Sequence, residues 1–253
     1  MPPSPRILVV AKDTIISALV PILQKTGCQI IGKYTSGIDG INKSVTLDPD
    51  LILMDTNPPG PVDGIDATRY IFQIFHYPVI LLTDTSGTGI PDRLCSAQSY
   101  GLFSAPFDET EIRYNIRIAI YNHAQRKPCL APYSVGDPKK IAADLEAVII
   151  LDTKGRIVFC NPYASWFIDL PDNEVMMSYW RNVLMLISDS SGEQIKDPIP
   201  EVLGQQAALL FDTNTAVVTK TGKRRKVRAS IRPIKDDQGV LIGAVMKMRE
   251  KPV

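Results

Sequence analysis

Asp55 closes an apolar run, residues 51–54, in a stretch that opens on Asp50. A run that is apolar throughout fits a strand buried on both faces, which would carry Asp55 to the strand's carboxyl end. Three further runs end on residues of chemical interest. Ala11, Lys12 and Asp13 follow run 7–10; Thr83 and Asp84 follow run 79–82; Ala105 follows run 101–104. Gathered at one sheet edge, these carboxylates, ammonium and hydroxyl would form one charged site. Other chemistries find little support. Cys28, Cys95, Cys129 and Cys160 form no CxxC pair, so free thiols in a reducing compartment are expected. With only His76 and His123 as histidines, a zinc site is hard to assemble. The stretch Thr85-Ser86-Gly87-Thr88-Gly89 lacks the GxxxxGK[ST] pattern and reads as a plain loop.

The elements that must position these residues alternate. Between strand-like runs 7–10, 29–32, 51–54, 79–82 and 101–104 lie helical patterns at 14–25, 37–46, 64–75, 91–99 and 109–126. Repeated βα alternation predicts a doubly wound parallel sheet. Its ligand site lies beyond the carboxyl ends of the strands, at residues 11–13, 55–57, 83–84 and 105. A Pro-rich break over 127–137 then ends the last helix, with a short helical lead-in expected at 139–145. The remainder reads differently: strands at 147–151 and 156–160 about an Asp152-Thr153-Lys154-Gly155 turn, helices at 163–169 and 201–210, and strands at 215–219, 224–233 and 240–248. The fold expected is α/β plus α+β: a first domain at 1–126, a linker at 127–140, and at 141–253 an antiparallel sheet with short helices.

Composition narrows the partners. Hydrophobic residues make up 45% and charged residues 22% of the 253, as in ordinary globular proteins. Lys+Arg number 28 against 27 Asp+Glu, which gives no electrostatic argument for nucleic acid or membrane. No apolar run approaches a span and the start lacks a leader pattern, so a cytoplasmic protein is expected. The densest cationic run, Lys220 to Arg228, straddles a turn and reads as a solvated hairpin; it lacks the interleaved aromatics of a nucleic-acid platform.

The first half resembles a response-regulator receiver domain, of flavodoxin-like fold, over residues 6–126. The resemblance rests on Pro49-Asp50-Leu51-Ile52-Leu53-Met54-Asp55, Pro58-Pro59-Gly60-Pro61-Val62-Asp63-Gly64, Pro78-Val79-Ile80-Leu81-Leu82-Thr83 and Gly101-Leu102-Phe103-Ser104-Ala105-Pro106-Phe107. It implies a phosphoacceptor at Asp55 and a switch hydroxyl at Thr83. It also implies an acid pair where Ala11 and Lys12 stand, a lysine where Ala105 stands, and an aromatic switch residue where Leu102 stands. Phosphotransfer there needs acids to hold a divalent cation and a lysine to pair with the phosphoryl group. Losing two carboxylates and adding an ammonium at Lys12 should weaken Mg²⁺ strongly, and Lys12 is expected to reach Asp55 in the cation's place. Asp13 and Asp84 are candidate surrogate metal acids; a weak site would use Asp13, Asp55 and the Asn57 carbonyl. A pseudo-receiver is therefore expected. The alternatives are slow phosphorylation of Asp55 by a partner kinase, or a plain capped loop carboxylate. On the last helix Ile112, Ile116, Ala119 and Ile120 read as core, with Arg113, Arg117 and Tyr121 outward.

The second half resembles a PAS domain. The resemblance rests on Val148 to Ala164, with Asn161-Pro162 opening a helix, and on a closing hairpin through Gly222–Val227 and Gly239–Met248. It implies a sensor or dimerisation module whose ligand is unknown. Haem is disfavoured because residues 141–253 contain no histidine, and covalent flavin because no Asn-Cys-Arg-type segment occurs; Cys160 reads as a packed thiol. Met176, Met177, Met185, Trp166, Trp180 and Phe167 could line a pocket, though core packing is the plainer reading. The two resemblances together imply a non-enzymatic two-component regulator or adaptor. Its partner would be a histidine kinase or another signalling protein, with a homodimer as a further expectation. The chain is either a module whose output is protein contact or an N-terminal part of a longer histidine kinase or regulator.

Overall fold

The computed structural model describes residues 4–84, 97–125, 146–236 and 238–251. The expected helix 91–99 thus lies almost wholly outside the described residues, as do the Gly-rich stretch 85–89, Cys95, Cys129, the linker 127–140 and the lead-in 139–145. The chain divides into two compact units, Met1–Cys129 and Leu130–Val253.

In the first unit the apolar runs become five parallel strands: β1 (Arg6–Val10), β2 (Gln29–Tyr34), β3 (Leu51–Asp55), β4 (Val79–Thr83) and β5 (Leu102–Ser104). Their order is β2-β1-β3-β4-β5. β3 is buried at every residue, as a strand covered on both faces must be. The covering helices pair up: α1 (Asp13–Lys25) packs with α4 (Glu109–Gln125), and α2 (Gly37–Leu47) with α3 (Gly64–Tyr70). Each offers an apolar stripe. In α1 it is Ile15, Leu19 and Leu23; in α4 it is Ile112, Ile116 and Ala119. Burying each large aliphatic side chain contributes about 2 kcal/mol. The helix expected over 64–75 changes pitch, its last stretch Ile71–Phe75 being a π turn that stops at His76, whose φ is 59°.

In the second unit the sheet has six strands, where five were expected. They are β6 (Ala147–Asp152), β7 (Ile157–Cys160), β8 (Leu184–Ser188), β9 (Leu209–Thr219), β10 (Arg224–Lys235) and β11 (Leu241–Glu250). Their order is β7-β6-β11-β10-β9-β8. The strand not foreseen, β8, pairs antiparallel with β9 from Leu184↔Thr219 to Ser188↔Thr215. Leu-Met-Leu-Ile-Ser has no alternation to mark it; it pairs with β9 on one side, and the turn at 189–192 that follows it brings Gln194 opposite Ile187. The helix expected at 201–210 is Ile199–Gln205; it ends on Gln206 at φ 51°, and β9 already begins at Leu209. A short helix at Asp172–Val175 and a 3-10 turn at Trp180–Asn182 fill the middle.

Two asparagine and aspartate side chains fix the opening hairpin. Asn161 is fully buried. Its Oδ1 accepts from Val148 N (3.0 Å) and Ala164 N (2.8 Å), and its Nδ2 donates to the Glu146 carbonyl (2.9 Å). One residue thus caps the helix Pro162–Ile168 and fastens it to β6. Asp152 Oδ1 accepts from Lys154 N and Arg156 N across the turn, which Gly155 closes at φ 76°.

At the start of α3 a glycine is required. A Cβ on Gly64 would lie 1.7 Å from the Asp55 carbonyl oxygen. Gly64→Ala is therefore expected to destabilise the first unit by about 1–3 kcal/mol and to displace the end of β3. Urea unfolding followed by circular dichroism measures this; a change below about 0.5 kcal/mol would show that α3 can move aside freely.

Candidate functional site

The ladder brings the strand ends to one level. Asp55 pairs with Leu82 in register, Thr56 N donates to the Leu82 carbonyl (2.8 Å), and Ala105 N donates to the Thr83 carbonyl (3.0 Å). On the other side of β3, Val10 lies opposite Met54, so β1 delivers Ala11 and Lys12 beside Asp55. The expected site residues thus reach the same edge of the sheet.

Asp55 is the best-enclosed charge there, its side chain 1% exposed. Its Oδ1 accepts from Asn57 N (2.9 Å) and its Oδ2 from Lys12 N (3.3 Å). The Lys12 Nζ lies 3.9 Å from Asp55 Oδ2 and 3.3 Å from Asp84 Oδ2. One ammonium therefore sits between two carboxylates, one buried and one half exposed. At about 4 Å such an attraction is worth about 4 kcal/mol near a protein surface, and the lost hydration of the buried carboxylate offsets much of it. Lys12 stands at the start of α1 with its backbone extended and leaves the capping role empty, its carbonyl accepting from Ile16 N (3.0 Å).

The other expected positions take simpler places. Asp13 is exposed in the first turn of α1, where its charge suits the helix dipole, and it makes no hydrogen bond or ion pair with Asp55. Asn57 is exposed and contributes its amide N–H to Asp55. Thr83 ends β4, half-buried, opposite Ser104. Ala11 is fully buried, with its N–H donated to the Tyr34 carbonyl. Leu102 begins β5 opposite Leu81, and Ala105 follows β5, half-buried. Asp84 is the second partner of Lys12.

A divalent cation does not suit this donor set. Hard cations take oxygen ligands, chiefly carboxylates; here an ammonium faces the one buried carboxylate, and an alanine stands beside it. Among the described residues no three His, Cys, Asp or Glu side chains converge to hold a metal.

In the second unit the suggested pocket residues part company. Trp180, Phe167 and Met176 are buried core, Met177 and Met185 are half-buried, and Trp166 is 57% exposed. The Arg225 guanidinium lies 4.6 Å from the Trp166 ring and pairs with Glu250 through Nη1 (2.9 Å). Cys160 is buried and Cys28 half-buried, and neither is in a disulfide.

The cationic turn is largely neutralised by acids that lie far off in sequence. Lys223 pairs with Asp169 (2.7 Å), while Arg224 (3.0 Å) and Lys226 (2.9 Å) share Asp189. The hydrogen bond from Lys226 is the main cause that holds the Asp189 carboxyl below its ordinary range; that from Lys223 does the same for Asp169. Tyr179 donates a hydrogen bond to Asp197, which raises the phenol above its ordinary range. Neither Asp169 nor Asp189 could be assigned to its cation from spacing, because one ends the helix Pro162–Ile168 and the other follows β8, both far from the turn in sequence.

Residues 7–117 match the response regulator receiver domain, and residues 145–249 match a PAS domain. The chain therefore carries a response regulator receiver domain followed by a PAS domain. Over 118 residues it is 27% identical to the transcriptional regulatory protein PdtaR of Mycobacterium tuberculosis, covering 46% of this chain and 57% of that protein. Over 90 residues it is 30% identical to a protein-glutamate methylesterase/protein-glutamine glutaminase of Archaeoglobus fulgidus, covering 35% of this chain and 26% of that protein. The chain thus spans about a quarter to somewhat over half of the length of these relatives. Among solved structures, the signal receiver domain of a modulated diguanylate cyclase from Desulfovibrio desulfuricans is 20% identical, with a TM-score of 0.46 over 49% of this chain and 99% of that one.

Two measurements follow from these contacts. In a double-mutant cycle, Lys12→Met and Asp55→Asn are each expected to cost about 1–3 kcal/mol, with a coupling of at least about 1 kcal/mol; strictly additive losses in urea unfolding would separate the two residues. For Asp189, a carboxyl depressed in the folded state supports folding above the unfolded value of about 3.9 and loses that support as pH falls through the folded value. Carbon-13 NMR should find Asp189 titrating below about 3.9, and Lys226→Met should bring it upward.

Proposed function

We propose that this chain is a two-component signal-transduction regulator or adaptor whose receiver is a pseudo-receiver. The observation that carries the reading is the position of Lys12, its ammonium 3.9 Å from the buried Asp55 carboxylate and 3.3 Å from Asp84. An internal cation there gives Asp55 a counter-charge, where a phosphotransfer site needs an exchangeable cation and a carboxylate free to attack. Ala105 adds to this, since an alanine brings no charge to a phosphoryl group. The signal then arrives by protein contact rather than by phosphoryl transfer, and the PAS domain receives or elaborates it. Neither kind of domain is an enzyme in this reading. Partners are a histidine kinase or another signalling protein; among the described residues no helix is long and apolar enough to cross a membrane. The outward row of α4 supports a further contact: Tyr114, Ile118 and Tyr121 are 53–64% exposed at helical spacing, a surface that suits a second copy or a partner.

A second reading keeps Asp55 as an acceptor. It is favoured by the Asn57 amide on Asp55 and by the retained Thr83 hydroxyl at the end of β4. In that case an Asp55 oxygen forms a bond to phosphorus as phosphorus parts from the donor's leaving atom, the imidazole nitrogen of a phosphohistidine or the carboxylate oxygen of acetyl phosphate.

Acetyl phosphate with Mg²⁺, read by intact mass, decides between them, with Asp55→Asn as control. The pseudo-receiver reading expects no phosphate-sized gain in the wild type and a gain in Lys12→Asp combined with Ala105→Lys. A gain in the wild type that Asp55→Asn abolishes would overturn it in favour of the second reading.

A further inference from the structure

Strand β10 alternates. Val227, Ala229, Ile231 and Pro233 are buried, while Arg228, Ser230 and Arg232 point to the opposite face. Register extends that face across its neighbours: Arg228 lies opposite Arg249, Ser230 opposite Lys247 and Leu210, and Arg232 opposite Val245. A groove of about 670 Å³ runs along it, with Leu210, Val245 and these cations among its walls.

The charges on this face differ from those of the adjoining turn. In the turn, Lys223, Arg224 and Lys226 each meet an acid. In the groove only Arg249 does, through Glu146 at 2.9 Å. Arg228, Arg232 and Lys247 have no acidic partner among the described residues. Like charges set opposite one another on a sheet are destabilising, so folding alone gives no reason for Arg228 to face Arg249 beside Lys247. The groove also has an apolar rim, with Leu210 70% exposed. A bare anion would neutralise the cations and leave Leu210 wet. An added strand is excluded, because β10 and β11 are interior to the sheet.

We propose that this face docks an acidic, amphipathic helical segment of a partner protein, its carboxylates meeting Arg228, Arg232 and Lys247 and its apolar ridge lying against Leu210. The proposal stands whether or not Asp55 accepts a phosphoryl group.

The test uses the full chain and a fluorescent synthetic helical peptide, with leucines at helical spacing flanked by glutamates, read by anisotropy. Binding is expected to weaken with added salt and to fall by about tenfold or more in Arg232→Glu combined with Lys247→Glu. Lys154→Glu combined with Lys196→Glu makes the same charge change at exposed sites outside the groove, and should fall much less. Thermal melting of the groove variant at or above the wild-type temperature would show that it is folded and relieved of like-charge repulsion. Absence of peptide binding, equal loss in both double variants, or equal binding of a peptide with serines for leucines would overturn the proposal. So would tighter, groove-dependent binding of a single-stranded oligonucleotide, which would make the face a nucleic-acid surface.

Discussion

Burial on both faces is the constraint from which the first unit follows. Strands β1, β3 and β4 have almost no exposed side chain along their length, so polar groups can be placed only where the strands stop. Parallel register makes them stop together, and the chain must turn into a helix at each end. Asp55, Lys12, Thr83 and Asp84 are neighbours for that reason. The tightness of the arrangement shows at Gly64, where α3 starts so close to the Asp55 carbonyl that a methyl group has no room. Asp55 is thus a charge held in a confined place, and what stands next to it decides what it can do.

The sheet of the second unit works under a looser rule. Antiparallel strands with one wet face allow cations to line up along β10, and the sequence pattern shows them plainly. Their partners are another matter. Asp189 meets Arg224 and Lys226 because β8 lies beside β9 and β9 beside β10. A charge run read alone looks like one uniform solvated patch. Folded, it divides into a neutralised turn and a groove where, among the described residues, Arg228 meets no acid.

That division marks how far the sequence reading reached. The parallel sheet was legible because runs such as 51–54 are apolar throughout and short, and Pro and Gly punctuate the gaps. The turn at Asp152 to Gly155 and the cap at Asn161 were legible because their chemistry is local. Strand β8 was not, since its five residues show no alternation and its ladder with β9 joins segments far apart in sequence. The helix 199–205 was placed too late for a similar reason: Leu209 and Leu210 continue an apolar pattern, yet they belong to β9. At the site, the residue types at 11, 12, 55, 83 and 105 could be read off. The bridging of Asp55 and Asp84 by one ammonium depends on a side-chain conformation and on a loop end that spacing does not fix.

Both tryptophans of the chain, Trp166 and Trp180, belong to the second unit. One is buried and the other lies exposed beneath the Arg225 guanidinium. The receiver is therefore dark when the indoles are excited selectively, and the PAS domain emits from two unlike environments. Any change in that emission caused by an event at the receiver has, by necessity, crossed from one domain to the other, so the protein carries its own optical readout of whether its halves communicate.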